Sequence, residues 1–461
     1  MRSHHALGVT VLLVASGCTG SDGDLASSTA GGAPAGGGGT FSTSTTRGGA
    51  GGEAGTGGQA PTTMETSVTQ YEITWSFDAA YPVGQFITGD WWVVGPVTIA
   101  SVSPEPTADR NGSMVDPVNA QAYDSRAGKH DGTKGASFPL LLEPGHSLVS
   151  SVSHPEQSEC TQGSAPGWRT YDGGCQRGPI ATQAVLTVVD AVPLASSFRP
   201  PYSGTDKPMH RADRIDWGML PALTAPADAP DPAAILRHME RPWIDHLNSW
   251  QMQHGCATQN MYCYGREVGD IVAQTAVFVL LDTSAQREVA RNLVQLGIDN
   301  YGVLRAGGGW GVDGGHFNGR KWPIVFAGGL LGDATMASPG LDIGNEDQMT
   351  YVGSEGNALW GRSCDSCYFG NSCGYSSSCS NGAKDCRDPA GVVDGCSDYR
   401  NCCTSHTWVG EALAARLLGL EEAWGHPPFF DYVDRWMGGD VPGGGGTSAS
   451  FITELWSTAQ P

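Results

Sequence analysis

Apolar and polar residues alternate along Tyr71-Glu72-Ile73-Thr74-Trp75-Ser76-Phe77, the two-residue period of a half-buried strand. Trp91-Trp92-Val93-Val94 and Val97-Thr98-Ile99 are further aromatic and β-branched runs, broken by Gly95-Pro96. Ala184-Val185-Leu186-Thr187-Val188-Val189 is another. Turn signals at Asp109-Arg110-Asn111-Gly112 and Glu143-Pro144-Gly145 separate such runs. Short strands divided by turns predict a β-sandwich-like domain over residues 69–195. Residues 196–231 are an irregular, Pro-rich connector. From 232 to 461 the period becomes helical. Helices are predicted over Ala233–Met239, Trp243–Met252, Arg266–Leu281, Ile324–Leu331, Trp408–Leu420 and Phe429–Met437. Pro242 and Pro323 suit helix starts. Thr283-Ser284-Ala285-Gln286 has the spacing of a capping box, opening one more helix that runs to about Tyr301. Short connections between successive helices predict antiparallel hairpins.

The first eighteen residues change the picture. Arg2 is followed by a short apolar run from Ala6 to Ala15, then Ala15-Ser16-Gly17-Cys18. Such a run is too short for a permanent membrane helix and reads as a secretory signal. The stretch resembles a bacterial lipoprotein lipobox, with Ala15 where Leu is usual. The resemblance implies that Cys18 is lipidated and that residues 1–18 are signal peptide and lipobox. Residues 19–68 are mostly Gly, Ser, Thr and Ala, too poor in large apolar side chains to offset ordering entropy. They predict a disordered tether reaching roughly 40 Å. The expected location is export, with a lipid anchor in a bacterial outer membrane, facing the periplasm or the cell surface.

Thirteen cysteines fit that compartment. Cys160 and Cys175 could close one loop, and Cys256 and Cys263 another. Eight more crowd into 364–403, which reads as a disulfide-rich insertion of open connectivity. Cys364-x-x-Cys367 with Cys402-Cys403 leaves zinc as the alternative.

The phrases GGHFNGRKWPIVFAGGLLGD, ALWG and TWVGEALAARLLGL resemble exported bacterial proteins of the α/α-toroid polysaccharide lyase kind. The resemblance covers roughly 232–437. It implies an α+β multidomain chain, with a β-sandwich-like domain followed by a helical hairpin array forming a partial α/α toroid. A full toroid needs about a dozen helices, more than the pattern supplies.

The richest chemical stretch is WGVDGGHFNGRKWP, Trp310 to Pro323, placed between two helices. His316 suits acid–base work near neutral pH. Arg320 could grip a carboxylate with two parallel hydrogen bonds, and Lys321 could add a point charge. Trp310 and Trp322 offer flat apolar faces for sugar rings. The bland alternative is a Gly-rich connection whose cations merely start a helix, although cations there oppose its dipole. A second cluster, Tyr262-Cys263-Tyr264-Gly265-Arg266-Glu267, supplies Tyr264 as a proton carrier and Arg266 as a cation. A third, Asn345-Glu346-Asp347-Gln348-Met349-Thr350-Tyr351, offers Glu346 and Asp347 as acid–base groups or Ca²⁺ ligands and Glu346 and Tyr351 as substrate contacts, the bland alternative being a solvated turn. Glu411 is a candidate for the same groove. Asp90, Asp124, Arg126 and Arg199, set among aromatics, read as sugar contacts or as Arg–Asp pairs in a domain joint.

The chain carries 47 Asp+Glu against 26 Lys+Arg, a net charge of -21, which argues against nucleic acid. No nucleotide-binding fingerprint, G-x-S-x-G or H-E-x-x-H is present. No cofactor is expected, with Ca²⁺ and Zn²⁺ left open. The leading expectation is a lipid-anchored, exported polysaccharide lyase acting on uronic-acid polymers. Arg320, with Lys321 or Arg266, would neutralise the uronate carboxylate. His316 or Tyr264 would take the C5 proton, and a tyrosine would protonate the departing oxygen. The alternatives are a non-catalytic surface protein binding glycan or a protein partner, and a glycoside hydrolase using Glu346 or Asp347 with another carboxylate.

Overall fold

The computed structural model describes residues 58–155, 178–247, 255–262, 265–310, 318–340, 346–353, 356–360, 403–441 and 443–459. All lie in one compact unit, Ala54–Pro461. Cys18, Tyr264, His316 and all of the Cys-rich stretch but Cys403 fall outside the described residues.

Eight strands come first: β1 Thr63–Gln70, β2 Ile73–Gln85, β3 Trp91–Val94, β4 Val97–Ser103, β5 Ser113–Val115, β6 Leu140–Leu142, β7 His146–Ser153 and β8 Ile180–Val189. They do not make a sandwich. Seven follow one path, β5-β7-β8-β3-β2-β4-β6, and β1 joins at β2. The result is a mixed half-barrel sheet, with β3 and β8 parallel and the other pairs antiparallel. The physical reason lies in β2. It spans 13 residues, pairs with β1, β3 and β4, and carries register shifts in its ladders with β1 and β4. Such irregularities bend a strand, so one sheet curls around its own core instead of two sheets facing each other. Trp75, Phe77, Ile99, Leu148, Leu186 and Val188 fill that core.

β8 is buried at every position. Its Leu186 and Val188 face the half-barrel core. Ile180 and Val185 face a second cluster with Tyr202, Ile244, Val303 and Trp310. A strand covered on both faces reads as a continuous apolar run rather than an alternation. Arg199 fastens the same joint. Its guanidinium meets Asp90 at 2.8 Å and Asp299 at 2.6 Å, so the turn before β3 and a helix share one buried cation.

The described helices are α1 Pro232–Met239, α2 Gly265–Phe278, α3 Gln286–Arg305, α4 Lys321–Leu331, α5 Ala334–Ala337, α6 Ser405–Leu417, α7 Glu421–Trp424, α8 Pro427–Gly438 and α9 Ser450–Ala459. A short hairpin, β9 Thr350–Val352 with β10 Ala358–Trp360, lies among them. The expected partial α/α toroid is not the architecture found. A Cβ at Gly269 of α2 would touch Thr407 of α6, and one at Gly410 would touch Ala273. The two helices therefore run side by side in the same direction, although far apart in sequence. Successive antiparallel hairpins would not produce that pairing.

No disulfide-rich insertion belongs to the described structure. Cys256 and Cys403 are each disulfide-bonded. Two local expectations also fail. Residues 243–247 are irregular rather than helical, because Trp243 Nε1 donates to His238 O and the Asp245 amide to Tyr202 Oη. The capping box does not form. Gln286 donates instead to Pro221 O and Val279 O, and the N-cap of α3 is Ala285 with no side-chain hydrogen bond.

Candidate active site

The cations of the Gly-rich stretch turn inward. Arg320 precedes α4 and is 2% exposed. Its Nε donates to Asp245 Oδ2 at 2.9 Å and its Nη1 to Asn318 O at 3.0 Å. Lys321 is fully buried, with Nζ 2.7 Å from Asp347 Oδ2. It also lies 4.7 Å from the centre of the Trp424 ring, and Trp424 Nε1 donates to the same carboxylate oxygen at 2.7 Å. A cation at a helix start opposes the dipole, and here buried carboxylates compensate it.

A further carboxyl group joins them from α6. Glu411 is 2% exposed, and its pKa is pushed up to about 8. Burial is the main cause and the nearby Asp347 charge the next, only partly offset by the Gly319 amide, Lys321 and Arg320. At neutral pH Glu411 therefore keeps its proton. Glu346 is fully buried on the short 3₁₀ turn that carries Asp347.

Above this layer, α2 and α6 begin side by side, and the chain of Asn318 and Gly319 passes against them. Asn318 Nδ2 donates to Cys403 O at 2.6 Å, and Trp408 Nε1 donates to Asn318 Oδ1 at 2.9 Å. Gly319 has φ +76, and a Cβ there would lie 3.0 Å from Val268 O, so only glycine fits the passage comfortably.

At this end sits a partly exposed rim. Arg266 Nη2 pairs with Glu267 Oε1 at 2.7 Å. Burial raises the Glu267 pKa above the usual carboxylic range although Arg266 lowers it. One helical turn on, Asp270 Oδ1 is 3.1 Å from His406 Nε2 and accepts from Ser448 Oγ at 2.7 Å. Glu267 Oε2 and His406 Nδ1 have no hydrogen-bond partner among the described residues. The rim therefore holds a carboxyl group whose pKa burial raises, an aspartate–histidine pair and two buried polar atoms without a hydrogen-bond partner among the described residues.

The remaining sequence candidates are dispersed. Trp310 is buried in the joint between sheet and helices. Trp322 is fully buried and packs against Phe326 and Trp424. Neither presents a sugar platform to solvent. Tyr351 is half-buried on β9. The structure thus brings Arg320, Lys321, Glu346, Asp347 and Glu411 into one interior region and places Arg266 on the rim above. Asp124 pairs with Arg126 at 2.7 Å in the half-barrel, away from these groups.

No family model matches this chain, and no curated protein or solved structure matches it either.

Asp245, Asp270, His406 and Trp424 were absent from the sequence candidates. His406 had a weak signal, a polar Ser-His-Thr opening an apolar helix. Asp245 was hidden by a predicted helix that did not form. Among the described residues, no three or more His, Cys, Asp or Glu are placed to hold a metal, and no helix is long and apolar enough to cross a membrane.

Proposed function

We propose that the chain is an exported enzyme, anchored through a lipid on Cys18, that cleaves polysaccharide with water, one carboxyl group protonating the leaving oxygen and another accepting the proton of the attacking water. This favours glycoside hydrolysis over β-elimination. A uronate lyase needs a cation free to neutralise the substrate carboxylate, whereas Arg320 and Lys321 are committed to Asp245 and Asp347.

The observation that carries the reading is the rim pair on α2. Glu267 is a carboxyl group that holds its proton more readily than usual, and its buried Oε2 has no hydrogen-bond partner among the described residues. Asp270, one turn away, is tied to His406. Two nearby carboxyl groups in unlike environments are the arrangement that separates acid from base. Glu267 would protonate the departing glycosidic oxygen, and Asp270 with His406 would take a proton from the attacking water. The buried pairs beneath hold Asn318 to Lys321, and so the floor of the rim, in place.

The test is to incubate the purified chain with a panel of neutral and uronate polysaccharides. Hydrolysis predicts new reducing ends without the ultraviolet absorbance of unsaturated ends, lost in Glu267→Gln. Unsaturated ends would replace hydrolysis with elimination. Binding without cleavage would make the chain a glycan-binding surface protein.

A further inference from the structure

The half-barrel has an incomplete seam. β2 pairs with β4 from Ile99 to Ser103. On the other side of β4, β6 covers only Val97 to Ile99. The ladder stops at Leu140 because Pro139 has no amide hydrogen to donate. The preceding chain then turns to β5, where the Ala136 amide donates to Ser113 O at 2.7 Å. The outer backbone edge of residues 100–103 consequently has no backbone partner among the described residues. Between that edge and residues 135–138 lies a groove of about 740 Å³.

Its lining points to a ligand class. The chain has a net charge of -21, yet Glu105 is the one carboxylate lining this groove. Ser101, Ser103 and Ser137 are exposed there, and hydroxyls both donate and accept, as sugar hydroxyls do. Phe138 lines the opposite wall, packed against the half-barrel core and half-buried, so its exposed part adds apolar surface for the C–H side of a sugar ring. The volume is in the range of small-ligand sites, roughly 300–1,000 Å³. An added peptide strand would need pockets for alternate side chains, and the short side chains of Ala100, Ser101 and Ser103 build none.

We infer that this groove is a second glycan site, binding an uncharged stretch of polymer apart from the α2–α6 rim. The inference rests on the polysaccharide reading above and deepens it. The half-barrel would hold the polymer while the helical end acts on it.

The intact chain is run in affinity electrophoresis through gels containing xylan, β-glucan, dextran, alginate or polygalacturonate. The expected result is retardation by at least one neutral polymer. Ser101→Trp and Ser137→Trp, which fill the groove from opposite walls at exposed positions, should each weaken it by about tenfold, roughly 1.4 kcal/mol. Both should leave cleavage of a short soluble oligosaccharide unchanged, and Glu267→Gln should keep the retardation while losing cleavage. Retardation equal to wild type in both tryptophan variants overturns the inference. So does retardation by the anionic polymers alone, or by none, and so does groove-dependent binding of extended peptides from an array in place of glycans. Groove-dependent retardation without cleavage of any polymer would leave this site standing and remove the hydrolase reading.

Discussion

Lys321→Met isolates the buried pair on which the interior of the helical region depends. Lys321 Nζ and Asp347 Oδ2 are 2.7 Å apart, with side chains 0% and 1% exposed. Methionine keeps most of the stem and its packing but leaves the Asp347 carboxylate without its cation. Removing one member of a buried ion pair costs about 3–5 kcal/mol. Unfolding entropy is about 2.1 cal/mol/K per residue. Over the compact unit Ala54–Pro461 this gives roughly 0.9 kcal/mol/K, so Tm should fall by about 4–6 °C. The second arm is Lys321→Met with Asp347→Asn, an uncharged pair that can still accept the Trp424 N–H. It should recover at least about 1 kcal/mol relative to Lys321→Met. Calorimetry and urea titration of wild type, Lys321→Met, Asp347→Asn and the double variant measure both quantities. A loss below about 1 kcal/mol in Lys321→Met, or a strictly additive cycle, would show that Lys321 and Asp347 do not stabilise the fold as a pair.

Glu411→Gln should change how stability depends on pH. The carboxyl ionises near 4.5 when unfolded and at about 8 when folded, so between these values the folded state binds a proton that the unfolded state lacks. Wild-type stability then falls as pH rises from 4.5 to 8, by at most about 1.4 kcal/mol per unit from this group. Urea denaturation across that window should show a shallower fall in the variant, and an identical slope would contradict the assignment. Gly297→Ala places a Cβ 2.0 Å from Pro323 O and 2.7 Å from Ala327 Cβ. It should push α3 from α4 and cost about 1–3 kcal/mol, and a neutral or stabilised variant would show that the helices are not so close. Cleavage should decline on the alkaline side as Glu267 loses its proton, at a higher pH than an ordinary carboxylic acid would set. In pH–rate profiles, a limb in the usual carboxylate range would remove Glu267 as the acid.

Much of the strand content could be read locally. Trp91–Val94 is a strand from end to end as the pattern predicts, because a run of aromatic and β-branched residues between turn signals has little other use. How those strands join was not legible. The parallel pairing of β3 with β8 and the unpaired stretch of β4 are long-range outcomes. The Gly-rich stretch teaches the same point about chemistry. Arg320 and Lys321 looked available because their partners are remote, Asp245 75 residues away and Asp347 26 residues away. Unlike charges at such separations leave no periodic trace. Asp270 and His406 likewise meet only because α2 and α6 lie side by side. Glu267 could be seen in the sequence, but its raised pKa is a property of burial that the sequence does not display.

Product analysis of a polysaccharide digest tests the central claim most directly, with wild type, Glu267→Gln and Lys321→Met assayed side by side. Wild type should give new reducing ends without unsaturated ends, Glu267→Gln should give none, and whatever fraction of Lys321→Met remains folded should retain cleavage. Unsaturated ends, or full cleavage by Glu267→Gln, would contradict that claim.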